Sequence, residues 1–199
     1  MKNWACMNKI FFSLLLCILT VSTVYSQKIA VKSNVLYDAT GTINVGGEYA
    51  INKKMSANLS VNYNGWALKE PQMWKHIMVQ PEFRYWLRET YNEHYAGLHL
   101  IYSTFDIERM SLPLFGFDRK HLYRDGTAYG AGVSYGYQLY LTPRLNLEFS
   151  LGVGFMNLKY KKYVWTEYPP KDATIKIPVL TRNYIGPTQV GISVVYIIN

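Results

Sequence analysis

The stretch that decides the fold runs from Leu145 to Phe155 and reads LNLEFSLGVGF. Every odd-numbered position in it is apolar, and every even-numbered position is polar or glycine. Side chains of a β-strand point alternately to its two faces, so this pattern predicts a strand with one apolar face. A helix would need apolar residues at three- and four-residue spacing, which the stretch lacks.

The same alternation recurs along most of the chain. It is found near 28–38, 42–51, 55–66, 76–88, 94–105, 127–141 and 184–198, and it is weakest in the first and fifth of these segments. With 145–160 they predict eight strands, the even number that a single-chain bacterial barrel has. Short connections at 52–54, 89–93 and 142–144 alternate with longer ones at 67–75, 106–126 and 165–183. Successive strands are therefore expected to be antiparallel, with turns at one end and loops at the other.

The N-terminus has the composition of an export signal. Lys2 and Lys9 precede an apolar run over residues 10–19, and the small Ser26 follows. This predicts a cleaved signal peptide over residues 1–26 and one domain over 27–199. Both cysteines, Cys6 and Cys17, lie in the signal, so disulfide and thiol chemistry are excluded for the rest. The full chain has a formal net charge of +8, which becomes +6 without Lys2 and Lys9 of the signal. For an exported protein of this charge, we expect lipid phosphate or surface polysaccharide rather than nucleic acid as the acidic partner.

The predicted fold class is all-β: an eight-stranded antiparallel up-and-down transmembrane barrel in the outer membrane of the cell. Closure is expected because open strand edges leave unpaired backbone groups in lipid. The main alternative is a soluble, lipocalin-like barrel that binds a small molecule inside and turns its polar face to water. The polar face here is rich in glycine and carries only isolated charges, which favours the membrane barrel. Pro81 and Pro187 fall inside predicted strands, so a bulge or bend is expected at both.

Ionisable residues on the polar face form the first candidate site. An eight-stranded barrel is only wide enough inside for side chains, so we expect an ion-pair network that plugs the lumen rather than a transport path. The residues assigned to this network are Lys32, Glu48, Glu82, Arg84, Arg88, His99 and Glu148. No metal site or cofactor is predicted, because no histidine and carboxylate cluster has ligand spacing.

The long connection around 106–126 is the second candidate site, because binding functions concentrate on loops held by a rigid scaffold. It combines aromatic and basic side chains, and the candidate surface-binding residues are Arg109, Phe115, Phe117, Arg119, Lys120, Tyr123 and Arg124. Lys159, Lys161 and Lys162 follow at the end of the seventh strand and are expected to face lipopolysaccharide phosphates. The expected partners are outer-membrane lipids, lipopolysaccharide and an extracellular or periplasmic protein.

A lipid-modifying enzyme is the alternative from a different functional class. It would need a histidine and a serine near one rim of the barrel. His99 and Ser103 share one face of a predicted strand, and His76 is a second candidate base. No third group that would orient either histidine is evident, so no catalytic residue is assigned.

Several short strings carry a family resemblance. They are KSNVLYD at 32–38, NVGGE at 44–48, WKH at 74–76, QPEFRYW at 80–86 and GLH at 97–99. Together they resemble an uncharacterised family of small outer-membrane proteins from Bacteroides-type bacteria, known as a domain of unknown function. The resemblance extends over the mature chain, and QPEFRYW is its most specific part. It implies a β-barrel at the outer membrane, and it supplies no activity or catalytic residue.

Overall fold

The computed structural model describes residues 29–66, 73–108, 122–164 and 178–198. Within these ranges the chain forms antiparallel strands and one short helix. In chain order the elements are β1 (Ile29–Asn34), α1 (Val35–Ala39), β2 (Ile43–Asn52), β3 (Met55–Asn64), β4 (Met73–Trp86), β5 (Glu93–Glu108), β6 (Leu122–Thr142), β7 (Leu145–Val164) and β8 (Val179–Ile198). The predicted all-β, up-and-down arrangement of eight strands is confirmed.

The sheet closes on itself. Each strand pairs with the next, and β8 returns to pair with β1, so that Ile29 lies opposite Ile198. The wall is uneven, because β1 has 6 residues and β6 has 21. We call the end with the short turns 53–54, 87–92 and 143–144 the turn end. The opposite end, where α1 lies, is the loop end.

Two strand boundaries differ from the prediction for local reasons. The first strand was expected to continue to residue 38, but it ends at Asn34, whose side-chain oxygen accepts a hydrogen bond from the Leu36 N–H at 3.1 Å and begins α1. The Asp38 carboxylate accepts a second bond from the Ser33 hydroxyl at 2.6 Å. At the loop end, β5 and β6 continue beyond their predicted bounds, with Ile107 paired opposite Arg124.

The two prolines behave differently. At Pro187 the register with β7 shifts by one residue, since Gly152 pairs with Gln189 and Val153 with Pro187. The bulge expected there is confirmed. Outward positions of β8 are odd-numbered before it, as at Ile185, and even-numbered after it, as at Val190. At Pro81 the register with β5 is the same on both sides of a short gap in the pairing, so of the two expected irregularities, a bulge or a bend, the bulge does not form there.

The faces of the sheet are sharply different. On the outer face, large apolar side chains are exposed on every strand; Val45, for example, is 55% exposed and Leu98 is 63% exposed. The inner face changes along β4, from Trp86 at the turn end, through Arg84, Glu82 and Gln80, to Met78 and Trp74 at the loop end. No helix in the described part of the chain is long and apolar enough to cross a membrane.

Candidate functional site: the lumen

A cluster of five charged side chains fills the middle of the lumen. Arg84 is at its centre, and its guanidinium contacts carboxylate oxygens of Glu48 at 2.8 Å, Glu82 at 2.6 Å and Glu148 at 2.8 Å. The Lys32 ammonium lies 2.9 Å from Glu48 and 3.3 Å from Glu148. All five are almost completely buried. We call these residues the ionic cluster.

Neutral groups complete the hydrogen bonding of the three carboxylates. The Ser56 hydroxyl donates to Glu48 at 2.6 Å, the Tyr95 hydroxyl donates to Glu148 at 3.1 Å, and the Ser134 hydroxyl donates to Glu82. The cluster holds three carboxylates and two cations, so these neutral donors stabilise the negative charge that ion pairing leaves over. Buried charges are tolerated when each is paired and hydrogen bonded, as here.

Glycines on the inner face leave the room that the cluster needs. A Cβ atom on Gly97 would collide with the Ser134 hydroxyl and the Glu82 carboxylate. One on Gly136 would collide with the ring of Tyr95, which also lies 4.2 Å from the Arg84 guanidinium carbon. The glycines of the polar face therefore mark where large side chains from neighbouring strands cross the lumen.

The structure brings five of the seven predicted network residues together and places two elsewhere. Arg88 does not belong to the network: it follows the end of β4, its side chain is 69% exposed, and it pairs with Glu93 at 2.9 Å. His99 is buried, but its Nε2 atom lies 2.9 Å from the Thr188 hydroxyl and is not part of an ion pair in the described residues. Arg88 lies outside because the strand ends before the alternation in the sequence does.

Aromatic side chains close the turn end of the lumen. The rings of Trp86 and Tyr95 are 4.8 Å apart, and Tyr91 reaches in from the turn at 6.0 Å from Trp86. The Tyr91 hydroxyl donates to the Glu48 carbonyl at 3.1 Å. Burial raises the pKa of Tyr91, and the Glu48 carboxylate raises it further. These packed, neutral rings therefore fill the lumen between the ionic cluster and the turn end.

The loop-end half of the lumen is apolar, which the alternation in the sequence does not predict. Ile101, Phe105 and Ile107 of β5 point inward with Met156 and Leu158 of β7, and all are buried. The sequence does contain one indication of these inward apolar residues. Alternation is weak in the fifth predicted strand, since apolar residues occur there on both faces. Between this region and the ionic cluster, Gln80 donates to Gln189 at 3.0 Å.

The predicted surface-binding residues are divided by the structure. Arg109, Phe115, Phe117, Arg119 and Lys120 lie outside the described residues. Tyr123 and Arg124 were assigned to a loop, but both are in β6 and are buried. Their strand continues into the predicted loop because pairing with β5 and β7 extends that far.

The lysines of β7 lie at its loop end. Lys159, Lys161 and Lys162 are all exposed. The Lys159 ammonium lies 5.4 Å from the ring of Tyr129 on the outer face. Lys162 is opposite Arg124 in the register, so the two share the inner face.

The candidate catalytic pair is not assembled. His99 contacts Thr188, and the Ser103 hydroxyl donates to the main-chain oxygen of Thr104 at 3.4 Å. His76 packs its ring against Trp74, with 5.2 Å between the ring centres. In the described residues, no three His, Cys, Asp or Glu side chains are grouped in a way that could hold a metal ion.

Comparison with known proteins places the chain in a family without assigning an activity. No curated protein and no solved structure matches it. Residues 11–198 match the family model described as "Protein of unknown function (DUF3575)". Because that match spans nearly the whole chain, the protein belongs to the DUF3575 family.

Proposed function

We propose that this protein is an outer-membrane β-barrel with a plugged lumen, which has a structural or surface-binding role at its loop end. It is exported by a signal peptide over residues 1–26 that is cleaved after Ser26. The observation that carries the proposal is the inversion of the two faces. Apolar side chains are exposed on all eight strands, while charged ones are buried inside.

A barrel that is soluble in water has the opposite arrangement, with a polar outer face and an apolar interior. Contiguous apolar surface on this scale marks contact with lipid or with another protein. It surrounds the barrel here, since Ile43 on β2, Leu100 on β5, Leu151 on β7 and Val194 on β8 are all exposed. Lipid is the partner that contacts every side of a barrel. Because the strands form a closed ring, few backbone N–H and C=O groups are left without a hydrogen-bond partner in the lipid.

The filled interior supports a role other than conduction. The ionic cluster and the aromatic rings at the turn end occupy the lumen with side chains that are almost fully buried. Any path for ions or solutes would have to break the five ion pairs of Arg84 and Lys32. The proposed activity therefore lies at the loop end.

Basic residues at the loop end support binding to an anionic surface. Lys159, Lys161 and Lys162 of β7 are exposed there. Each basic residue near an anionic lipid surface contributes about 1 kcal/mol of attraction. The phosphates of lipopolysaccharide, or an acidic protein surface, are the partners that this charge favours.

The test is membrane fractionation of the full chain, followed by gel electrophoresis with and without boiling in detergent. We expect the protein in the outer-membrane fraction, with faster migration when it is not boiled, because the closed barrel stays compact. Reconstituted into planar bilayers, it is expected to show no stable conductance. Recovery in the periplasmic extract without a mobility shift would overturn the proposal and favour the soluble barrel instead.

A further inference from the structure

An apolar cavity of about 360 Å³ lies in the loop-end half of the lumen. Its wall is made by inner-face side chains of β4 to β8, with Leu36 and Tyr37 of α1 on one side. The apolar lining includes Trp74, Met78, Ile101, Phe105, Met156 and Leu158. Pockets of about 300–1,000 Å³ with apolar walls are the usual sites for small ligands. This cavity is at the small end of that range, so it has room for one hydrocarbon chain rather than two.

The floor of the cavity is polar but uncharged. Gln189 and Thr188 line it, and they are hydrogen bonded to Gln80 at 3.0 Å and to His99 at 2.9 Å. This layer separates the cavity from the ionic cluster. An anionic group at the floor would face the excess negative charge of that cluster, so the charged end of a ligand is expected at the opposite end.

The inner face above the cavity carries positive charge. Leu158 of the cavity wall lies opposite Arg182. Lys162, four residues further along β7 and on the same face, lies opposite Arg124. Directly opposed residues share a face, so all three cations are on the inner face. Two acidic residues near Arg124 with described side chains, Asp106 and Asp125, are opposite each other on the outer face. The loop-end mouth is therefore basic inside.

We propose that the lumen binds a single-chain anionic amphiphile, namely a long-chain carboxylate. Its hydrocarbon chain fills the cavity, and its carboxylate lies at the mouth among Arg124, Lys162 and Arg182. The inference goes beyond the proposed function and does not depend on membrane insertion, because the site is built from the inner face only. The failure of this inference is distinguishable from the failure of the membrane proposal, because the gel mobility shift is measured independently of ligand binding and reports on the barrel alone.

Trp74 in the cavity wall provides the measurement. The full barrel is titrated with dibromostearate, whose bromine atoms quench a tryptophan in contact. The titration is done in vesicles of unlabelled phosphatidylcholine if the barrel inserts, and in buffer if it is soluble. We expect saturable quenching that reaches its limit near one molecule per barrel. Trp74→Phe is expected to remove that saturable component. Quenching that only rises in proportion to added dibromostearate would indicate simple partition into the bilayer and would overturn the proposal.

A matched pair of variants on β6 separates the cavity from the lipid-facing surface. Ala128 lines the cavity, and Ala131 is exposed on the outer face. We expect Ala128→Phe to weaken saturable binding at least tenfold and Ala131→Phe to leave it unchanged. Ser103→Phe fills the same cavity from β5 and is used if Ala128→Phe lacks the gel mobility shift. Unchanged binding in a filled barrel that keeps the shift would contradict the proposal.

The head group and the source of the chain are tested separately. Reversal of charge at the mouth, with Lys162→Glu and Arg182→Glu together, is expected to weaken binding of dibromostearate but not of its uncharged methyl ester. Equal effects on both would remove the carboxylate from the proposal. Vesicles of brominated phosphatidylcholine form the last arm. Two results together would overturn the fatty acid assignment: added stearate does not relieve the quenching of Trp74 in these vesicles, and Ala128→Phe abolishes it. The cavity would then be assigned to a membrane lipid.

Discussion

Arg84 holds the interior charges of the barrel together. It contacts all three carboxylates of the ionic cluster, whereas Lys32 contacts two. Its planar fork of N–H donors suits this role, because it can bind several carboxylates in fixed directions. Removal of one partner from a buried ion pair is costly, since the remaining charge stays buried without compensation.

Substitution of Arg84 is therefore expected to be far more damaging than substitution of a nearby arginine. We predict that Arg84→Met lowers the free energy of unfolding by about 3–5 kcal/mol, measured by urea titration in lipid vesicles. The matched control is Arg88→Met, whose side chain is 69% exposed and whose loss should cost about 0–1 kcal/mol. Similar losses for the two variants would contradict the central role of Arg84.

Glu82 tests the charge balance of the same cluster. Glu82→Gln leaves two carboxylates against two cations, and the amide oxygen can still accept the Ser134 hydrogen bond. We predict a loss of only about 0.5–1.5 kcal/mol in the same urea titration. A loss as large as that of Arg84→Met would show that the third carboxylate is needed for its charge and not only as a hydrogen-bond acceptor.

At the scale of elements, Asn34 joins β1, α1 and β8. Its side-chain oxygen accepts from the N–H groups of Leu36 and Ile192 at 3.1 and 3.2 Å, and its amide donates to the Val190 carbonyl at 3.1 Å. These bonds continue the contact between β1 and β8 beyond the last backbone pair. The Asn34 side chain thus both ends β1 and links it to β8. We call this junction between β1 and β8 at the loop end the seam.

Loss of the Asn34 amide should open this seam. We predict that Asn34→Ala lowers the free energy of unfolding by about 2–3 kcal/mol, because it removes a helix cap and leaves backbone groups of β8 unpaired. Asn52→Ala is the control: Asn52 also accepts a backbone bond, from Lys54 at 2.8 Å, but it is exposed and water can replace it. A loss below about 0.5 kcal/mol for Asn34→Ala would show that the seam is satisfied by other means.

The turn between β4 and β5 gives a pH-dependent prediction. Tyr91 has a φ of 67° there, and its buried hydroxyl has a raised pKa. A group whose pKa is higher in the folded state stabilises the fold below its unfolded pKa, which is about 10 for tyrosine. The stability of the wild type should therefore fall as the pH rises above about 10.

Tyr91→Phe isolates this effect. The variant keeps the ring against Trp86 but loses the hydrogen bond to Glu48, so we predict a loss of about 0.5–1.5 kcal/mol at neutral pH. Above about pH 10 the difference between variant and wild type should shrink, because only the wild type loses stability from Tyr91 ionisation. A difference that stays constant across a urea titration series from pH 8 to about 11 would contradict the assignment.

At the scale of the whole molecule, the apolar outer face predicts that stability depends on depth in the bilayer. Leu100 is 59% exposed in the middle of β5, and Leu87 is 54% exposed just beyond the end of β4. We predict that Leu100→Arg costs about 2–4 kcal/mol in vesicles and Leu87→Arg about 0–1 kcal/mol. Equal costs would argue against a membrane around the middle of the barrel, because water solvates an arginine equally well at both positions.

Much of the fold could be predicted from local pattern. Strand alternation and turn spacing predicted eight strands and their order, and Pro187 predicted a bulge. The prolonged strands at the loop end could not be found in this way, since Leu122 to Asp125 lack alternation and are held by pairing with both neighbours. The same holds for α1, where Asn34 and Asp38 replace ladder bonds with side-chain bonds.

Of the candidate site, only the charged residues of the lumen could be predicted from the sequence. The sequence by itself determined which charged residues of the regularly alternating strands face inward, because a two-residue period assigns every side chain of a strand to one face or the other. Only the tertiary structure decided which of them meet, because ring closure brings strands together that are far apart in the chain, as with Lys32 and Glu148. It also decided that Arg88 lies outside the cluster and that apolar inward residues of β4 to β8 enclose a cavity, since both depend on where strands end and how side chains from opposite walls fill the lumen.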